Sequence, residues 1–186
     1  MEFVIRIKVP DWLDRICAWP VLLYRRLRFG YPFRRIPLTQ SQFAIVDPED
    51  FHSLIKHKWS ASKWGLTFYA VRSQGKSQIK MHRRIKNAPP NLVVDHIDHN
   101  GLNNTKHNLR LCTKSQNAKY QRPRKAGSSG YKGVSWHKRD KTWHVRIHHN
   151  GRNLYIGSFK SESAAARAYD KAAKKYHGDF ACLNFE

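Results

Sequence analysis

The sequence predicts an α+β protein of two small domains, and three observations carry that expectation. A short apolar run at Val93-Val94 leads into Asp95-His96 and a series of asparagines, and a helix-starting signal follows at Thr113. Residues 131–159 alternate apolar and polar side chains around Asn150-Gly151, and residues 162–177 carry a helical stripe of small apolar side chains. Between the two regions, Gln121 to Gly130 is built of Pro, Gly, Ser and charge, a composition that suits a linker.

The chain's 186 residues suffice for one domain or two small ones, and a hydrophobic content of 40% allows only modest cores. Lys and Arg number 35 against 13 Asp and Glu, a formal charge of +22. Such an excess says little about fold and argues for a polyanionic partner. Nucleic acid is the natural one, because cationic side chains release its condensed counterions; an anionic membrane surface is the alternative. The cysteines, Cys17, Cys112 and Cys182, are scattered and odd in number. They suit neither a disulfide framework nor a cysteine zinc site, and fit a reducing compartment. The apolar run from Ile16 to Tyr24 is too short to span a bilayer. Acidic Asp11 and Asp14 before it and Arg25-Arg26 after it are the wrong order for a signal peptide. A cytoplasmic setting, in a bacterial or phage-infected cell, is expected.

Taken in order, residues 1–36 form a basic N-terminal arm broken by Pro10, Pro20, Gly30 and Pro32, which either lies on DNA or is a lead-in. Its apolar run reads as a short amphipathic helix packed on the body. Residues 37–120 form the first domain. They hold strand-like pieces at Phe43–Val46 and Thr67–Arg72 and a short helix at Lys80–Lys86, stopped by Pro89-Pro90. Val93-Val94 begins a strand ending in Asp95-His96. Thr113-Lys-Ser-Gln116 is a capping box, and it sets Asn117 at the fourth helical position. After the 121–130 linker, residues 131–186 form the second domain, with strands at 131–138, 143–148 and 153–159. Asn150-Gly151 is a two-residue hairpin signal. The helix at 162–177 has Ser161 as its cap, Lys174-Lys175 and His177 in its last turn and Gly178 beyond.

The chemistry of the first domain rests on a few residue types. An acidic residue and an amide can hold one hard divalent cation and leave positions open for water and phosphate oxygens. A histidine titrates near neutrality and can take a proton from an attacking water. Neighbouring residues of a strand face opposite ways, so Asp95 and His96 converge only where the chain twists. A second pair, Asp98-His99, lies three residues on and competes for the role; Asn103-Asn104 read as turn residues, His82 and His107 as surface histidines, and Cys112 as a buried apolar residue. The run Val-Val-Asp-His-Ile-Asp-His-Asn-Gly-Leu-Asn-Asn, followed by Asn108-Leu-Arg and by Thr113 and Asn117, resembles the HNH endonuclease family in its zinc-free phage and homing variety. The resemblance implies a ββα-metal fold, with Asp95 and Asn117 holding one divalent metal, Mg²⁺ first and Mn²⁺ as the alternative. It makes His96 the general base and Asn108 the brace that orients it. It also favours His96 over His99, since the pair follows the apolar strand directly.

In the second domain Trp143, Val145 and Ile147 alternate with His144, Arg146 and His148. That pattern predicts a sheet buried on one face and wet on the other, with the helix covering the apolar face. The wet face then suits a DNA major groove. Tyr131-Lys-Gly133-Val, Tyr155-Ile-Gly157-Ser-Phe159, Ala165-Ala-Arg-Ala-Tyr169-Asp-Lys-Ala-Ala173 and Leu183-Asn-Phe185 resemble the AP-two/ERF DNA-binding domain. By that resemblance Lys132, Ser135, His137, Thr142, Arg146, His148, Asn153 and Tyr155 face DNA.

The expected function is a metal-dependent DNA endonuclease, nicking and of homing type, delivered to double-stranded DNA by its second domain. It acts as monomer or dimer without a membrane partner. The alternative is a DNA-binding regulatory protein on an inactive nuclease fold.

Overall fold

The computed structural model describes residues 10–122 and 128–185. Residues 1–9 of the expected arm, residues 123–127 of the expected linker and Glu186 lie outside the described residues. Two compact units divide between Leu111 and Cys112, ahead of the expected linker.

The first unit opens with a helix, α1 (Asp11–Phe29), where the sequence suggested an arm broken by Pro and Gly. Two of the presumed breakers mark its ends. Pro10 is the N-cap, and Gly30 takes the left-handed C-cap at φ 83° with its N–H on the Arg26 carbonyl. Pro20 lies inside. The helix is not buried as an amphipathic packing would have it: Ile16, Trp19 and Leu27 are 62%, 64% and 79% exposed. Its ties are polar, a two-nitrogen clasp of Arg34 on Asp14 at 2.9 and 3.1 Å and a bond from Arg25 to the Phe33 carbonyl. Among the described residues no helix is long and apolar enough to cross a membrane.

Strands β1 (Arg34–Pro37) and β2 (Phe43–Val46) form an antiparallel hairpin, followed by α2 (Pro48–Ile55) with proline in its first turn and Glu49 and Asp50 at its positive end. A meander of β3 (Ser60–Trp64), β4 (Thr67–Gln74) and β5 (Ser77–Lys80) runs into the short α3 (Met81–Ile85). Ile36, Ala44, Val46, Leu54, Trp59, Ala70 and Met81 close over one another as the core. The β2 and β4 strands and the 81–85 helix stand where the sequence puts them; β1, α2, β3 and β5 are additions. Strands β6 (Val93–His96) and β7 (Leu109–Cys112) pair as a two-stranded sheet.

The loop between them is fastened twice to the rest of the unit. Leu102 and Asn104 exchange backbone bonds with Ile45 at 2.8 and 2.7 Å, adding a parallel bridge to the free edge of β2. Gly101 lies on β4, donating its N–H to the Thr67 hydroxyl, and a Cβ there would stand 2.4 Å from the Phe68 carbonyl oxygen. Only glycine permits that approach.

The second unit holds α4 (Lys114–Tyr120), whose Thr113–Gln116 capping box is fully formed. Strands β8 (Val134–His137), β9 (Thr142–His149) and β10 (Arg152–Phe159) make an antiparallel sheet in the order β10-β9-β8. Asn150 and Gly151 turn the β9–β10 hairpin with φ of 49° and 76°, both left-handed as such a turn requires. The first strand begins at Val134 rather than Tyr131 because Gly133, at φ 74°, bends the chain over the ring of Tyr169. The helix α5 (Glu162–His177) covers one face, burying Ala165, Ala166, Tyr169, Ala172 and Ala173 against Val134, Val145 and Ile147. Asp170, also buried, accepts the backbone N–H groups of Asn184 and Phe185, and Asn184 clasps both backbone groups of Lys132.

Candidate active site and candidate nucleic-acid interface

Asp95 and His96 end β6, and both are buried, at 8% and 5% exposure. They diverge as strand neighbours do. The Asp95 carboxylate meets Arg110 on β7, whose Nε and a terminal nitrogen lie 2.9 and 2.8 Å from Oδ2. The His96 ring turns towards Tyr69 on β4 and His82 on α3, with centroids 5.7 and 5.1 Å away.

Asn104 is fully buried and is the polar partner of His96. Its Nδ2 donates to the Leu102 carbonyl, which leaves Oδ1 facing His96 Nε2 at 3.5 Å, a long contact. An amide oxygen can only accept, so this pairing puts the proton on Nε2 and leaves the lone pair on Nδ1. Burial lowers the proton affinity of His96, against the opposing pull of Asn104, Asp98 and Asp95. The ring is therefore neutral near pH 7, the form a base requires. Burial and the Asp95 charge raise the Tyr69 hydroxyl above its ordinary value, so it stays protonated.

Asn108 spans the loop. Its Oδ1 accepts the Asp98 N–H at 3.0 Å, its Nδ2 donates to Asp98 Oδ1 and to the Asn103 carbonyl, and its own carbonyl accepts the N–H of Ile97, next to His96. Its bonds stay within the loop, and the side chain that meets His96 is Asn104. Asp98 is committed to this scaffold through bonds from Asn100, Asn103 and Asn108. Its neighbour His99 sits half-exposed in a left-handed conformation at φ 60°. Asn117 lies in the second unit, half-buried in the first turn of α4 behind the Thr113 cap.

Two assignments change. His82, expected at the surface, is 5% exposed, and its Nδ1 has no hydrogen-bond partner among the described residues. Burial, with the charge of His96, Lys80 and Arg83, pushes it down to about 3. Asn104, taken as a turn residue, holds the tautomer of His96. Neither carries a local sequence signal, since each acquires its role from a residue eight or more positions away.

In the second unit the strand pairing sets Ser135, His137, Thr142, Arg146, His148, Asn153 and Tyr155 on the face away from α5. Arg146 and Tyr155 are opposite each other and exposed, and His148 Nδ1 lies 3.1 Å from Asn153 Oδ1 across the hairpin. Lys132 departs from the expected set. Its ammonium donates to the carbonyls of Lys119 and Gln121, closing the C-terminus of α4. His144 belongs to this face and sits stacked on His137.

Residues 87–119 match the HNH endonuclease family and residues 129–179 the AP2 domain family. An uncharacterised HNH endonuclease of Acanthamoeba polyphaga mimivirus is 32% identical over 148 residues, covering 76% of this chain and 74% of that protein. Protein 3.8 of Escherichia phage T7 is 32% identical over 93 residues, half of this chain and 76% of that protein. The AP2-like ethylene-responsive transcription factor TOE2 of Arabidopsis thaliana is 42% identical over 67 residues. That alignment spans 36% of this chain and only 14% of the plant protein.

Proposed function

The chain belongs to the HNH endonuclease family, and on that premise we propose that it hydrolyses phosphodiester bonds of double-stranded DNA. The observation that carries the reading is the buried, neutral His96, held by Asn104 so that its lone pair lies on Nδ1, and followed by a loop pinned by Asn108. In this reading His96 Nδ1 takes the proton of the attacking water, and Asn108 keeps the strand end rigid. Tyr69 and His82 wall off one side of the imidazole, and Arg110 orients the Asp95 carboxylate.

Asp95 suits a hard cation: it is a buried carboxylate oxygen donor at the end of β6, steadied at Oδ2 by Arg110. It would hold one divalent ion, Mg²⁺ before Mn²⁺, which when bound neutralises charge growing on the scissile phosphate and leaving oxygen. The AP2-like sheet face holds the duplex. One such site cuts one strand, so the activity is nicking, in a homing-type role.

The test is relaxation of supercoiled plasmid by the full chain. With Mg²⁺ it nicks, with EDTA it does not, and His96→Ala loses cleavage while still retarding DNA in a gel. Cleavage by His96→Ala at the wild-type rate would overturn the assignment. DNA binding without cleavage by the wild-type chain in either metal would favour a regulatory protein on an inactive fold.

A further inference from the structure

A second cluster of ligand chemistry lies outside the nuclease site. At the β8–β9 turn, His137 Nδ1 is 3.0 Å and His144 Nε2 3.3 Å from the same carboxylate oxygen, Asp140 Oδ2. The three ligand atoms all lie within 4.8 Å of one another. Among the described residues no other group of three His, Cys, Asp or Glu ligand atoms converges in this way. His137 and His144 stack with centroids 4.2 Å apart and planes 5° apart. We propose that His137, Asp140 and His144 form a binding site for one borderline divalent transition-metal ion, Zn²⁺ by preference, on the sheet face of the AP2 domain.

The spacing suits such an ion. Bonds of about 2.0–2.2 Å to nitrogen and oxygen place tetrahedral ligands roughly 3.3 Å apart. Two of the three separations already fall close to that value. Two imidazoles and one carboxylate favour Zn²⁺ over Mg²⁺, which takes oxygen ligands almost alone. A bound ion lies in the plane of each imidazole, so the parallel rings splay on loading. His137 and Asp140, with side chains 38% and 43% exposed, have room to move, whereas His144 is buried and provides the fixed ligand.

The setting gives the ion a purpose. Asp140 is the one acidic residue between Val134 and Phe159, on a surface otherwise lined with Lys, Arg and His. A bare carboxylate there repels phosphate, whereas a loaded site reverses the local charge. Three protein ligands also leave a position open for water or for a phosphate oxygen.

The test is titration of the full-length chain with Zn²⁺ alone by calorimetry, and with Co²⁺ alone by visible absorption. The wild type takes up an ion at this site with micromolar or tighter affinity, and Co²⁺ gives the strong bands of a four-coordinate N/O site. Asp140→Asn, at an exposed position, and His137→Gln, at a half-buried one, weaken that uptake at least tenfold without changing the melting temperature of the metal-free protein. His96→Ala, at the nuclease site, leaves it unchanged. Equal binding by wild type and Asp140→Asn, loss of this uptake in His96→Ala, or no uptake at 100 μM Zn²⁺ would each refute the site; in these cases Asp140 only pairs with its two histidines.

Discussion

The rings of His82 and His96 meet edge to face, with centroids 5.1 Å apart and planes 86° apart. His82 stands on α3 and His96 at the end of β6, so a helix outside the family-matched segment supplies one wall of the pocket around the His96 imidazole.

The first consequence is acid sensitivity. His82 is pushed down to about 3 by burial, whereas a histidine in the unfolded chain titrates near 6.5. The unfolded state takes up this proton first. The stability tied to the neutral ring is therefore complete above about pH 6.5 and is lost as pH falls towards 3. His96, lowered by the same burial, adds in the same direction. The full loss from His82 is about 5 kcal/mol. Urea unfolding followed from pH 7 to pH 4 should show a midpoint that falls steadily. His82→Phe, which fills the space without a titrating group, should flatten that slope; equal slopes would rule this account out.

Asn104 should matter to turnover more than to binding. Asn104→Leu removes the acceptor that keeps the proton on His96 Nε2. The expected loss is about tenfold to hundredfold in kcat, the usual size of an orienting contact, with KM for DNA nearly unchanged. Single-turnover cleavage with saturating plasmid measures it, and a defect confined to KM would remove Asn104 from its orienting role.

Gly133 and Gly151 both adopt left-handed backbone, at φ 74° and 76°, but only Gly133 is crowded. A Cβ at Gly133 would stand 2.0 Å from the Tyr169 ring, and one at Gly151 meets nothing within 4 Å. Gly151→Ala should therefore cost about 1 kcal/mol of backbone strain, and Gly133→Ala about 2–4 kcal/mol. Thermal melts of the two variants distinguish crowding from strain.

The sheet face should divide cleanly in DNA binding. Arg146→Ala, at an exposed position, should weaken binding by about 1–3 kcal/mol if it reads a base, or lower the salt slope by about one if it holds a phosphate. Lys132→Met should leave the salt slope unchanged, because its ammonium is engaged by the Lys119 and Gln121 carbonyls. Gel shifts over a salt series in EDTA would measure both.

What the sequence made legible was local. The Thr113 capping box, the Asn150-Gly151 turn, the alternation through β9 and the bounds of α5 all depend on residues within a few positions of one another, and all are present as read. Asn103, which reads as a turn residue, does bond locally, accepting the Thr105 hydroxyl, whereas Asp98, which reads as a rival to Asp95, instead accepts the side chains of Asn103 and Asn108 five and ten residues on. The rest depended on distant pairs. His82 reads as one histidine in a basic run until α3 is docked beside β6. Lys132 reads as a basic DNA contact until α4 presents its carbonyls. The exposed apolar residues of α1 suggested packing that the fold does not supply.

The bridge from Leu102 and Asn104 to Ile45 bears on how this HNH domain could be transplanted. A designer who excised residues 87–119 would carry the family signature and leave behind the edge strand on which its loop is templated. Tyr69 and His82, which wall the imidazole, would be left behind too. A portable HNH module has to begin no later than Arg34, where the hairpin that offers that edge starts. In synthesis order this edge emerges before the loop that needs it, so the loop closes on a surface already made.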